Sequence, residues 1–136
     1  MILVNDDGVG GVAVARNTVI VCEYTWPRNR RDLDTGTTFL GETVGYGFPS
    51  STFSEYMLWT GDDTTGGGRE VVIVDIDAAV DNGDITGNFQ INCFADWYEY
   101  NSGNSGFGPA TLGVYFRDKF TPRVSPKVSL TIAPTP

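Results

Sequence analysis

An antiparallel two-sheet β-sandwich, of jelly-roll or immunoglobulin-like type, is the fold class that this 136-residue sequence predicts. Three observations carry the prediction. Residues that favour pleated, half-buried surfaces are plentiful, and the helix formers Ala and Leu are scarce. Apolar side chains recur at every second position in short runs. Clusters of Gly, Pro, Asn, Asp and Ser separate those runs, which is the punctuation of an all-β domain with seven or eight short strands. A chain of this length suits one domain and buries enough apolar surface to fold without a metal or a disulfide.

Val19 to Trp26 is the first strong strand, with Ile20, Cys22, Tyr24 and Trp26 on one face, and Pro27 stops it. After a polar stretch from Arg28 to Asp34, Thr37 to Leu40 reads as a short strand. Gly45 to Ser54 reads as a loop, and Tyr56 to Thr60 as the next strand. Gly61-Asp-Asp-Thr-Thr-Gly-Gly-Gly68 is a long turn. Glu70 to Ile76 is nearly continuous in apolar residues, which predicts a strand covered on both faces. Asp77 to Val80 suits one helical turn, and Asp81-Asn-Gly-Asp84 a tight turn.

Phe89 to Tyr98 alternates most clearly, with Phe89, Ile91, Cys93, Ala95 and Trp97 inward. Asn101 to Pro109 is a further loop. Ala110 to Arg117 alternates again, with Leu112, Val114 and Phe116 inward. Val128, Leu130 and Ile132 mark a last strand, flanked by Pro122, Pro126, Pro134 and Pro136, which places it at an edge or exchanged with a neighbour. Residues 1–11 read as an N-terminal arm and residues 118–136 as a proline-flanked C-terminal arm.

The net charge of −8 disfavours nucleic acid, whose phosphates an acidic surface repels. No apolar run reaches the length of a membrane span, and Met1-Ile-Leu-Val4 is too short and lacks the basic lead of a signal peptide. Read from Met1, the chain is expected to be made and kept in the cytoplasm. Basic residues concentrate at Arg28, Arg30 and Arg31 and again at Arg117, Lys119, Arg123 and Lys127. They read either as solvated strand edges or as a docking edge for an acidic protein surface. Cys22 and Cys93 both fall on apolar strand faces, as two buried thiols or as a bridge. A bridge would close a loop of about 70 residues and contribute roughly 4 kcal/mol in the chain-entropy model.

The chain contains no histidine, which removes Ser-His-Asp and Cys-His catalysis and histidine-based zinc sites. Gly66-Gly-Gly-Arg69 lacks the ending of a phosphate-binding loop. Hard oxygen ligands remain. Asp32 and Asp34 share one side of an extended segment, and Asp62 and Asp63 open the glycine-rich turn beside Thr64 and Thr65. Such groups suit Ca²⁺, which takes six to eight oxygens in loose geometry. They equally suit turns in which Asp bonds its own backbone. Asp75 to Thr86 does not fit a helix-loop-helix calcium loop, because Val80 and Thr86 stand where glycine and glutamate are needed. Trp97, Tyr98 and Tyr100 read as core or as a sugar-binding cluster.

Tyr24-Thr-Trp26, Arg31-Asp-Leu-Asp34, and Trp59-Thr-Gly-Asp-Asp-Thr-Thr-Gly66 followed by Glu70-Val-Val-Ile73 together resemble a loose group of extracellular and phage-associated β-sandwich domains. The resemblance covers about residues 24 to 75. Thr35-Gly36 stands where that pattern has a histidine. The resemblance implies a sandwich without enzymatic activity, a metal role for Asp34 and Asp62, and a virion component. The expectation is therefore a non-enzymatic bacteriophage structural protein, such as a capsid decoration or cement protein, assembled in the host cytoplasm. It would have no resident cofactor and would dock through Lys119, Arg123 and Lys127 on a larger shell protein or on copies of itself. The alternative is an extracellular calcium- or glycan-binding module.

Overall fold

The computed structural model describes residues 2–5, 17–27, 32–46, 52–61, 68–97 and 109–132. Nine strands form two antiparallel sheets. One sheet has four strands in the order β1 (Ile2–Asn5), β7 (Asn88–Trp97), β3 (Leu33–Phe39), β4 (Glu42–Gly45). The other has five, in the order β5 (Met57–Trp59), β6 (Arg69–Val74), β2 (Thr18–Thr25), β8 (Ala110–Asp118), β9 (Val128–Ile132). A short helix, α1 (Ile76–Asp81), links β6 towards β7. The predicted all-β, two-sheet sandwich is the observed fold.

The core lies between the sheets and is built by the predicted alternation. Ile20, Cys22, Tyr24 and Trp26 face it from the β2 side, Phe89, Ile91, Ala95 and Trp97 from β7, and Leu112 and Val114 from β8. Burying such side chains contributes about 1.5–3 kcal/mol each. Phe39 packs edge-on against Tyr56 and Phe89, with ring centroids 6.2 and 5.7 Å apart. The apolar run of β6 is covered on both faces as expected. Val72 and Val74 point into the core, while Val71 joins Val19 and Val21 in a second apolar cluster on the outer face, packed by Ile73 and Tyr115.

Three segments differ from the sequence reading. Residues 2–5, read as part of an arm, are a strand, pairing with β7 from Ile2 opposite Ile91 to Asn5 opposite Asn88. The strand at Thr37–Leu40 begins earlier, at Leu33, and ends one residue sooner. Leu40 and Gly41 are then the two residues of a tight hairpin turn, with φ of 50° and 81°, leading into β4, a strand the sequence reading did not assign. Such two-residue turns need positive φ at both positions, which is why glycine occupies the second. Gly45 is also obligatory: at φ 138° a Cβ would lie 2.1 Å from the Thr35 carbonyl oxygen.

The expected helical turn at Asp77–Val80 is the helix α1, capped by Asp75. The Asp75 carboxylate accepts from the Ala78 amide at 3.0 Å, and the chain leaves the helix through Asn82 and Gly83. Below it, the Tyr56 hydroxyl donates to the Asp84 carboxylate, which pushes the phenol up to about 12.

Candidate docking edge

The two sheets differ in width, and this creates the most distinctive surface. β4 lies against β5 at one flank of the sandwich. Tyr24 of β2 bonds Gly36 and Thr37 of β3, so the sheet centres are stacked. The five-stranded sheet therefore overhangs at the opposite flank, where β1 and β9 are the last strands. There β9 pairs with β8 alone, Val128 opposite Val114, Leu130 opposite Leu112 and Ile132 opposite Ala110.

Directly opposed residues share a face. Val128, Leu130 and Ile132 thus continue the core-facing side of β8 outward, beyond the opposing sheet. Ile132 still packs on the core, but Val128 is 60% exposed and Leu130 42%. The β8–β9 connection adds Phe120 and Val124, 77% and 60% exposed. Val128 and Leu130 form an exposed apolar pair on an edge strand whose outer backbone groups have no strand partner among the described residues, while Val124, opposite Arg117, is exposed on the other face. Both features favour docking by strand addition.

The connection holds its shape. The Asp118 carboxylate accepts from the amides of Phe120 and Thr121 at 2.8 and 3.0 Å, and those backbone bonds hold its carboxyl below the usual range. The Ser125 amide donates to the Phe116 carbonyl, and the Phe116 amide to Ser125 Oγ. Arg117, Asp118 and Arg123 line a cleft here with Thr18, Phe116, Val124 and Ser125.

The structure divides the three basic residues expected to steer a partner. Arg123 is exposed at the edge. Lys119 instead bridges Asp75 at 2.7 Å and Asp77 at 3.2 Å, tying α1 to the end of β8. Burial alone would lower its pKa, but the two carboxylates outweigh it and raise it. Lys127 lays its stem across Gly113, where a Cβ would meet its Cδ at 2.8 Å. Its ammonium reaches Glu23 at 2.9 Å and lies 5.6 Å from the centre of the Tyr115 ring. Both lysines are thus engaged within the domain, and Arg117 joins Arg123 as the outward charge.

Arg69 meets Glu23 from the other side at 2.9 Å. Burial pushes the Glu23 carboxyl up, but the bonds from Lys127 and Arg69 outweigh it and hold it below the usual carboxylate range. A depressed carboxyl stabilises the fold above its unfolded pKa, about 4.3, and loses that contribution as pH falls through the folded value. Glu23→Gln should therefore lower Tm modestly at pH 7 and show a shallower loss of Tm on acidification below about pH 4.3. Thermal melts of both proteins from pH 7 to pH 3 check this.

The predicted acidic ligands are only partly in view. Leu33 points inward, so Asp32 and Asp34 share the outer side of the four-stranded sheet as expected. Asp32 is buried, Asp34 is half-buried, and Asp34 stands directly opposite Asp96 of β7. Asp62 and Asp63 lie outside the described residues. Among the described residues, no three His, Cys, Asp or Glu side chains converge as a metal site. Trp97 is buried in the core, while Tyr98 and Tyr100 lie outside the described residues. No helix among the described residues is long and apolar enough to cross a membrane.

One buried polar centre escaped the sequence reading. Glu70 is fully buried, and its Oε1 accepts from Thr35 Oγ1 at 2.6 Å and from the Trp59 indole N–H at 3.1 Å. It joins β3, β5 and β6 at the middle of the sandwich. One donor, Trp59, lies in the motif order noted above, and the other, Thr35, stands where that pattern has a histidine. Comparison with protein-family models, with curated proteins and with solved structures finds no match to this chain.

Proposed function

We propose that this domain is a non-enzymatic assembly module, a bacteriophage virion component that decorates or cements a larger protein shell or binds copies of itself. The observation that carries this reading is the overhanging β9 edge, with an exposed apolar pair in line with the core and an open backbone edge beside it. The sequence resemblance to phage-associated sandwiches points the same way. Arg117 and Arg123 outnumber Asp118 in the cleft at the start of the β8–β9 connection, and this small excess of positive charge on an acidic protein favours encounter with an acidic partner surface.

The test is a paired substitution, Val128→Lys with Leu130→Lys, on the full chain. Both side chains are largely exposed, so Tm should barely move. Association, read by light scattering after size exclusion and by co-sedimentation with shell particles from the native source, should weaken by roughly 100-fold, because two apolar anchors of about 1.5 kcal/mol or more are lost. A wild-type chain that stays monomeric at high concentration and never sediments with particles would overturn the proposal. So would a variant that associates as well as wild type.

A further inference from the structure

Cys22 and Cys93 are the only cysteines of the chain, and they come from different sheets. Cys22 sits in the centre of β2, fully buried, and Cys93 in the centre of β7, partly buried and packed against the same core. A second contact fixes how the sheets face one another at this point. Tyr24, two residues along β2 on the same face as Cys22, has its hydroxyl 2.8 Å from Thr37 Oγ1. Thr37 is the direct cross-strand partner of Cys93. Cys22 and Cys93 therefore face one another across the core, from neighbouring positions of the two sheets.

Both cysteines are reduced in this structure. We propose that Cys22 and Cys93 form an inter-sheet disulfide on oxidation, a covalent clamp across the centre of the sandwich. The two thiols are not equivalent. Cys22 is fully buried, whereas Cys93 is only partly buried. Cys93 is therefore the accessible thiol and the attacking group.

The oxidant is a low-molecular-weight disulfide such as glutathione disulfide, admitted by local opening of the sandwich. The Cys93 thiolate attacks one of its sulfurs, forming a mixed disulfide and releasing one small thiolate. Cys22 then loses its proton and attacks the Cys93 sulfur, which expels the second small thiolate. Two protons and two electrons leave the protein, and the small disulfide is reduced to two thiols. Cross-linking residues so far apart in sequence constrains the unfolded chain strongly, so the oxidised protein should melt on the order of 10 °C higher.

The full chain is incubated with glutathione disulfide, then unfolded and its free thiols counted, with intact mass measured in parallel. The expected result is loss of both thiols and of two hydrogen masses in a monomer, with a raised Tm that a reductant reverses. Cys22→Ala and Cys93→Ala should each abolish the Tm shift. Two free thiols after prolonged oxidation, a stable glutathione adduct on Cys93, a bridge only between two chains, or a bridged monomer with an unchanged Tm would each overturn the proposal.

Discussion

Replacing Ile91 with aspartate should unfold the domain, or leave it folded only at low temperature. Ile91 is fully buried at the centre of β7, between the Phe89 ring and Cys93 along its inward face. A carboxylate there meets an apolar surround and no cation among the described core residues. The penalty is several kcal/mol, whether the group stays charged or takes up a proton to remain. That is comparable with the whole stability of a small domain, about 5–15 kcal/mol. Gln90, one residue earlier, is exposed, and its side chain bonds Asn92 at 2.8 Å. Gln90→Asp should change Tm by a degree or two at most, since exposed substitutions stay within about 0.5 kcal/mol. Circular dichroism and thermal melts of the pair give the comparison. Equal shifts would mean that the face assignment of β7 is wrong.

The second large effect is expected at Glu70. Glu70→Ala removes the acceptor of two buried donors, the Thr35 hydroxyl and the Trp59 indole. Each orphaned donor costs about 1–3 kcal/mol, and the lost side-chain volume adds to this. The Tm should fall by roughly 10 °C or more. Glu70→Gln keeps an acceptor oxygen and should fall less. Combining Glu70→Leu with Thr35→Val removes one donor together with the acceptor and should recover part of the loss, because apolar replacement of a buried polar pair is often neutral. A Glu70→Ala protein as stable as wild type would show that the carboxylate contributes no net stabilisation.

Sequence patterning found β2, β5, β6, β7, β8 and β9, whose inward positions are apolar apart from Glu70 of β6. β3 was found only at its end, because its inward positions include Thr35 and Thr37. These are buried to meet Glu70 and Tyr24 rather than to fill apolar space. β4 was missed because Leu40, a residue ill-suited to positive φ, hides the turn that precedes it. β1 has four residues and no turn signal before it, so nothing local set it apart from an arm. At the docking edge, the prolines around Val128–Ile132 marked an edge strand correctly. The exposure of its inward-facing side chains follows from the unequal number of strands in the two sheets, which no local pattern encodes. The engagement of Lys119 with α1 and of Lys127 with Glu23 was equally illegible, because both pairs join segments far apart in sequence.

The covering of β5 sets the valency of the molecule. Its outer side is occupied by its own chain: the Trp59 amide donates to the Thr52 carbonyl and the Ser54 amide to the Met57 carbonyl. In the five-stranded sheet this leaves β9 as the open edge among the described residues. Two copies meeting there would do so edge to like edge, about a two-fold axis, and the contact would be used up in a closed dimer. If the domain associates through β9 as proposed, that sheet offers one contact per copy, and association through it should saturate at a fixed stoichiometry.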